Sequence, residues 1–198
     1  KKFKKNYVTA LRGKNIQHKE KNYSELTFHY WFWKNRLKKI DKNLWVGFCQ
    51  KRRFWSKNKI HEKKLYNSSN VSQHIITEPH KDWKNYDVIL CEPININNVN
   101  KTKMIKRGFR SLIKNPSIFF NPKKQSIKFH FDMHHGYGNL DKAIDLLDDD
   151  DKNDFRNFVN KSISFNPHIM FISKPKIINK WFNILFPWLE RCEGIFKL

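Results

Sequence analysis

The chain has 198 residues, a formal net charge of +22 at pH 7, 39% hydrophobic residues and 15% aromatic residues. This composition predicts a folded chain with a core, not a disordered one. The sequence contains no run of about 18 apolar residues, so no membrane-spanning helix is predicted. The basic N-terminal segment lacks the apolar stretch of a signal peptide. Cys49, Cys91 and Cys192 are widely spaced, which argues against a disulfide framework or a zinc site and favours a reducing cytosol.

The positive charge is consistent with three classes of partner: nucleic acid, an anionic membrane surface, or phosphorylated substrates. A simpler cause is also open. Lys greatly outnumbers Arg, and Asn, Ile and Phe are abundant, as expected from coding bias in an AT-rich genome. Lys binds phosphate only as a point charge, whereas Arg provides a bidentate fork. Charge alone therefore does not choose among these partners.

In chain order, residues 1–21 are predicted to form a basic loop. The segment SELTFHYWFWKN, residues 24–35, is predicted to be helical, with Asn22 and Glu25 in a capping-box-like spacing. Its apolar residues recur on one helical face, and the members of that face are Leu26, Tyr30, Trp33, Leu37 and Ile40.

Two short apolar runs, LWVGFC (44–49) and YDVILC (86–91), have the pattern of buried strands. The polar stretch between them predicts a loop with a short helix. Residues 93–126 predict an excursion with one helix around 104–113. The run IKFHF, residues 127–131, alternates apolar and polar side chains, which predicts a third strand.

Two helices are predicted next, one capped by Asn139 and one around Phe155 to Val159. The four carboxylates at 148–151 are predicted to end the first of these helices and to form a solvated linker. HIMFIS, 168–173, predicts a fourth strand, and Pro175 suits the first turn of a last helix that contains Pro187. Strands alternating with helices predict one α/β domain over residues 22–198.

Three polar clusters flank these predicted strands, and in open α/β sheets ligands bind beyond the carboxyl ends of strands. The clusters are Gln50–Lys51–Arg52–Arg53, Asp132 with His134 and His135, and Asn166–Pro167–His168. The adjacent arginines, Arg52 and Arg53, form the kind of fork that grips a pyrophosphate. A solvated turn is the alternative.

The sequence D-x-H-H, residues 132–135, supplies either ligands for Mn²⁺ or Mg²⁺ or a general base. A turn after a strand would bring Asp132 and His134 to one side and point His135 away. The metal-free version is favoured because hard divalent ions prefer more oxygen ligands than this turn offers, and a purely structural polar turn remains a third reading. Phosphate-loop, dinucleotide, nucleophile-elbow and nucleic-acid-binding signatures do not occur, so nucleic acid is disfavoured as a partner.

Five blocks of the sequence together resemble a bacterial glycosyltransferase family that was long known only as a domain of unknown function and is typical of capsule and O-antigen gene clusters. The blocks are SELTFHYWFWKN, WVGFCQKRRFW, YDVILCEP, FDMHHGYGNLDKAIDLL and FNPHIMFISK. Family members carry further residues ahead of GKNIQHKEKNYSEL and continue past LERCEGIF. The resemblance therefore predicts a chain that starts inside the fold.

The resemblance implies a GT-A-like α/β fold and transfer of a sugar from a nucleotide-diphosphate donor, with a UDP-sugar expected, to a glycan or lipid-linked acceptor. The cytoplasm is the implied location, with peripheral association with the inner face of the plasma membrane. No D-x-D follows the strand at 44–49, where such enzymes usually hold a metal, so the pair Arg52–Arg53 is expected to bind the diphosphate, with a metal at Asp132 and His134 as the rival. Adjacent residues leaving a strand point to opposite faces, so one arginine is expected to reach the diphosphate and the other to pack or face solvent. Further donor contacts are expected at Gln50, Glu25, Asn35, Asn166 and His168.

The aromatic helix at 24–35 is then mostly core, with His29 as another position to watch for ligand contact. Two alternatives stay open at this point. The first alternative to an active transferase is a non-enzymatic basic module that binds nucleic acid or a membrane surface, and the second is an inactive fragment of the transferase.

Overall fold

The computed structural model describes residues 8–50, 53–57 and 71–197. These residues fall into two compact units. One, here called the sheet unit, lies within Lys1–Cys91 and Ile169–Phe186; the other, the helical unit, lies within Glu92–His168 and Pro187–Leu198. The predicted division into a segment over 1–21 and a domain over 22–198 stays a prediction.

The described α-helices in chain order are α1 (Glu20–Tyr23), α2 (Leu26–Asn35), α3 (Val71–His74), α4 (Lys101–Lys114), α5 (Ser117–Phe120), α6 (Ile127–His135), α7 (Asn139–Asp145), α8 (Asp149–Lys161) and α9 (Pro175–Phe196). The described strands are β1 (Val46–Gly47), β2 (Val88–Leu90), β3 (Ile94–Asn95), β4 (Ser164–Phe165) and β5 (Phe171–Ser173). None of the described helices is long and apolar enough to cross a membrane.

The sheet unit contains a three-stranded sheet in the order β1-β5-β2. The central strand β5 is antiparallel to both neighbours, with Ile172 opposite Gly47 on one side and Ile89 on the other. All three residues of β5 are buried. Strands are confirmed within 44–49, 86–91 and 168–173, each shorter than its apolar run. The burial predicted for the first two is wrong, because the residues of β1 and β2 are half-buried or exposed.

The core of the sheet unit is aromatic. Phe182 of α9 is fully buried and lies within about 6 Å, ring centre to ring centre, of His29, Phe48 and Phe186. Trp33 of α2 stacks on Phe186 at 5.5 Å, and its indole N–H donates to Asn179 Oδ1 at 2.9 Å. The predicted helix at 24–35 is confirmed as a core element. It is buried on more than the predicted face, because His29 and Trp31 are buried too.

In the helical unit, α4 packs against α6 around the buried side chains of Met104, Phe129 and Met133. Gly108 makes this approach close: a Cβ at that position would lie 2.8 Å from Phe129 Cε2 and 3.2 Å from Met133 Cγ. The short strands β3 and β4 pair antiparallel, with Ile94 opposite Phe165.

The strand predicted at 127–131 is wrong, because these residues begin helix α6. Ser126 caps that helix: its Oγ accepts from the Phe129 N–H at 3.4 Å, and Gly136 ends the helix with φ +94°. Phe129 and Met133, four residues apart, are the buried pair. The alternation of Ile127, Phe129 and Phe131 suggested a strand, but the packing follows the helical period.

Three local predictions also fail. Asn22 and Glu25 form no capping box, since Asn22 lies inside α1 and Glu25 is the N-cap of α2 without a side-chain cap bond. The carboxylates at 148–151 start α8 instead of ending a helix, with Asp148 as the N-cap. Carboxylates are favourable at that end because of the helix dipole. Gly138, not Asn139, is the N-cap of α7.

Candidate functional site

The carboxyl edge of the three-stranded sheet holds the first predicted site. Because β1 and β2 are both antiparallel to β5, they run parallel to each other and their carboxyl ends lie at the same edge. Gln50 and Arg53 follow β1, and the Arg53 N–H donates to the Gln50 carbonyl at 3.1 Å. Cys91 follows β2. The structure thus places a cationic turn, which includes Gln50 and Arg53, beyond the carboxyl ends of β1 and β2.

The charge of Arg53 acts on Cys91 at this edge. Burial raises the pKa of the Cys91 thiol, the positive charge of Arg53 opposes that rise, and the neighbouring Cys49 thiol adds to it. Arg53 is an exposed residue. Lys51 and Arg52 lie outside the described residues.

Asn35 has a structural role in the sheet unit. Its Nδ2 donates to the carbonyls of Lys14, at 2.8 Å, and Trp31, at 2.7 Å, while its Oδ1 accepts from the Lys14 N–H at 3.1 Å. The amide therefore ties the N-terminal segment to α2 and has little left to offer a donor sugar. As a donor contact, Asn35 stays a prediction with a sufficient structural explanation.

Glu25 and His29 lie one turn apart on α2. Glu25 is half-buried and accepts from the Ser24 hydroxyl at 2.9 Å. His29 is buried, and desolvation lowers its pKa to about 4, against a smaller upward effect of the Glu25 charge. Its ring packs 4.3 Å from that of Phe48. His29 is thus a neutral core histidine.

Asp132, in the helical unit, is buried and well bonded. Its carboxylate accepts from Lys128 Nζ at 3.0 Å, from the Gly138 N–H at 3.1 Å and from the Ser111 hydroxyl at 3.4 Å. Lys128 also pairs with Asp141 at 2.8 Å. Burial alone would lower the pKa of Lys128, but its hydrogen bonds with the two carboxylates raise it overall. These bonds fix the turn from α6 to α7.

The predicted convergence of Asp132 and His134 does not occur, because residues two apart on a helix lie on different faces. His134 and His135 are exposed, whereas Asp132 is buried. His134 instead lies beside His130, with ring centres 4.7 Å apart. Partial burial and then the charges of Lys103 and Arg107 lower the pKa of His134, so its imidazole is neutral at pH 7.

A divalent cation does not fit Asp132 and His134. The oxygens of Asp132 are already bonded to an ammonium group and a backbone N–H, and the charges near His134 are positive. Within residues 8–50, 53–57 and 71–197, no group of three or more His, Cys, Asp or Glu side chains could hold a metal ion. Dependence on Mn²⁺ or Mg²⁺ stays a prediction, without support at this pair.

Asn166 and His168 belong to the helical unit, where they follow β4 and are half-buried. Both make interactions within the protein. The predicted site residues are therefore distributed over two units: Glu25, Asn35, Gln50 and Arg53 in one, and Asp132, His134, His135, Asn166 and His168 in the other.

Sequence reasoning missed a cationic groove beside α4. The groove has a volume of about 380 Å³, and its lining includes Lys106, Arg107, Arg110 and Tyr137. The signal was present in the sequence as basic residues at intervals of three and four without an intervening acid. It went unused because the helix was predicted only from its apolar residues.

Comparison with solved structures gives a likeness to the apo structure of the bifunctional glycosyltransferase WbbM. The TM-score is 0.64 and the sequence identity 17%, over 93% of this chain and 30% of that chain. The chain thus spans about a third of the length of that protein. At this identity the likeness shows a shared fold; it confirms the predicted α/β class and is consistent with a GT-A-like fold.

No curated protein matches the chain. The family comparison covers the whole sequence, residues 1–198. The chain belongs to the family described as Domain of unknown function (DUF4422).

Proposed function

We propose that this chain is a glycosyltransferase domain that moves a sugar from a nucleotide-diphosphate donor, with a UDP-sugar the expected class, to a growing cell-surface glycan. The observation that carries the proposal is the fold shared with a solved glycosyltransferase over 93% of the chain. The cationic turn at the carboxyl edge of β1 supports it, because transfer requires a group that stabilises the leaving diphosphate.

In this proposal Arg53, with its neighbour Arg52, binds the donor diphosphate. A guanidinium is suited to this role because it can donate two parallel N–H bonds to phosphate oxygens and is always charged. Gln50 shares the turn with Arg53 through its backbone carbonyl and is the adjacent amide available to the donor. Glu25, Asn166 and His168 remain further proposed donor contacts.

The helical unit contains a group suited to act as a general base. His134 is exposed and its lowered pKa keeps the imidazole neutral at pH 7, so it can accept the proton of an acceptor hydroxyl. His135 is exposed on the same helix and is the alternative base. Asp132 is proposed as a positioning residue, since its bonds to Lys128 and Gly138 fix the end of α6.

The proposed location is the cytoplasm, with peripheral association with the inner face of the plasma membrane, where a lipid-linked acceptor would be reached. The proposed partners are the nucleotide-sugar donor and that glycan acceptor. Nucleic acid is not proposed, although the net charge of +22 makes it a necessary control.

Calorimetric titration with UDP, GDP, CDP and ADP tests donor binding. We expect UDP to bind most tightly and Arg53→Ala to weaken that binding roughly tenfold or more, in keeping with the loss of a charge-assisted bidentate contact. Lys57→Ala is the matched control, because Lys57 is an exposed cation four residues along the chain. The nucleotide affinity of Arg52→Ala is measured in the same way.

Nanomolar binding of duplex DNA together with no measurable nucleotide affinity would contradict the transferase proposal and support the basic nucleic-acid-binding module instead. Nucleotide binding without sugar transfer, measured with and without EDTA, would identify an inactive fragment. Loss of transfer in His134→Ala, with unchanged UDP affinity, would support the role of His134 as the base.

A further inference from the structure

Helix α4 has an unusual charge distribution. Its fourteen residues contain six basic side chains and no acidic one. Among the described residues, no carboxylate forms an ion pair with Lys103, Lys106 or Arg110. Like charges three and four residues apart destabilise a helix, so this arrangement costs stability unless an anionic partner neutralises it.

The same helix exposes an apolar row. Ile105, Phe109 and Ile113 are spaced by four residues, and their exposed fractions are 52%, 59% and 63%. This row is separate from the face that packs on α6, where Met104 and Gly108 are buried. Helix α4 thus has a core face, an exposed apolar row and, alongside that row, a row of cations.

The cationic groove adjoins the cations of this helix. Lys106, Arg107 and Arg110 line it. Asp132, the carboxylate among its described lining residues, is already bonded to Lys128 and the Gly138 N–H. The groove is therefore positive overall. Its volume of about 380 Å³ is sufficient for a phosphate group.

We propose that α4 docks on an anionic lipid bilayer, with Ile105, Phe109 and Ile113 at the boundary of headgroups and acyl chains and the neighbouring cations on lipid phosphates. A helix with an apolar row beside Lys and Arg binds in the membrane interface through two contributions: burial of its apolar side chains and attraction of its cations to anionic lipids. A nucleic acid would use the cations but would leave the aliphatic side chains of Ile105 and Ile113 without a partner. The inference deepens the proposed function and rests on it in one respect. The bilayer is taken to be the inner leaflet of the plasma membrane because the proposed function places a lipid-linked acceptor there.

Vesicle co-sedimentation of the full chain tests the proposal. The probes are phosphatidylcholine vesicles and phosphatidylcholine vesicles containing about one third phosphatidylglycerol. We expect binding only to the anionic vesicles, weakening as salt is raised. The double variant Lys106→Gln, Arg110→Gln should lose roughly tenfold or more in affinity, because each cation near an anionic surface contributes measurably. Phe109→Ser with Ile113→Ser should lose a similar factor through apolar contact.

Two control variants match these changes on another helix. Lys176→Gln with Lys180→Gln removes two exposed cations from α9, and Ile195→Ser removes an exposed apolar side chain from the same helix. Both should keep wild-type vesicle affinity. Circular dichroism of every variant checks that it is folded.

The docking proposal is overturned if anionic vesicles do not bind, if the α4 and α9 variants behave alike, or if duplex DNA binds more tightly than vesicles and depends on the same cations. A dimer that the apolar α4 variants dissociate would assign the row to a second copy instead. UDP titration of the α4 variants separates the two proposals: unchanged nucleotide affinity with lost vesicle binding supports both, whereas absent nucleotide binding with intact vesicle binding removes only the transferase.

Discussion

Each unit of this protein buries an ionisable side chain, and the two units compensate for burial by different means. His29 of the sheet unit is surrounded by aromatic rings and is kept neutral, with its pKa lowered to about 4. Asp132 of the helical unit is equally buried but is bonded to an ammonium group, a backbone N–H and a hydroxyl. An apolar core removes the charge, whereas a polar core supplies partners for it. The comparison predicts different responses to mutation and to pH.

The largest effect should come from the aromatic packing around His29. Phe182→Ala removes a fully buried ring and should lower the free energy of unfolding by about 4 kcal/mol, as expected when a large core side chain is truncated. Urea denaturation followed by circular dichroism measures this loss. Trp181→Ala is the neighbouring control, because Trp181 is 47% exposed, and it should cost far less. Equal losses would refute the assignment of this core.

The next effect tests the polar core. Asp132→Ala should lower the free energy of unfolding by about 3 kcal/mol, because it leaves buried donors without their acceptor. Asp141→Ala removes the other carboxylate partner of Lys128. The Asp141 side chain is 40% exposed, so this substitution should lower the free energy of unfolding by less than about 1 kcal/mol. Calorimetric unfolding of the two variants gives the comparison. A larger loss for Asp141→Ala would show that Asp132 is not the centre of the network.

The pH response distinguishes the two strategies directly. Below a pH of about 6.5 the unfolded chain protonates His29, while the folded chain keeps it neutral until pH falls to about 4. The contribution of His29 to stability therefore falls as pH decreases through that window, by about 2 kcal/mol between pH 7 and pH 5. His29→Phe should lack this component. Identical pH profiles for the two proteins, measured by urea denaturation, would mean that His29 titrates alike in both states.

The smallest effect concerns Asn35. Asn35→Ala removes three hydrogen bonds to the backbone of Lys14 and Trp31 at a partly exposed position. The expected loss is about 1 kcal/mol, with no change in UDP affinity. Thermal unfolding and nucleotide titration of the same variant decide whether Asn35 has only a structural role. Unchanged stability with weakened UDP binding would restore it as a donor contact.

The elements that were predicted correctly from the sequence have either apolar residues at helical spacing or a short, strongly apolar run. Helices α2, α4, α8 and α9 and the strands at 46–47, 88–90 and 171–173 fall in this class. Strands β3 and β4 escaped prediction because each has two residues and lies in polar, Asn-rich or mixed sequence. Helix α6 was mistaken for a strand because its apolar residues alternate, although Ser126 and Gly136 mark its ends.

The candidate site followed the same pattern. The position of Arg53 beyond the carboxyl end of β1 was predictable, since the apolar run at 44–49 predicts a strand that ends before it. The separation of Asp132 from His134 was not, because it depended on whether the segment is helical or extended. The exposure of Ile105, Phe109 and Ile113 also could not be read from spacing, as the same periodicity describes a face that packs on a neighbour.

Because Gly108 has no side chain, the ring of Phe129 packs closely against it, and positions 108 and 129 of the sequence depend on each other. Alanine at 108 would push its Cβ into the ring of Phe129, whereas a smaller residue at 129 alone would leave a gap beside the helix. The two substitutions together would partly compensate each other, as contacting residues generally do. A single substitution at position 108 is therefore disfavoured, and any redesign of α4 must keep this glycine or change Phe129 at the same time.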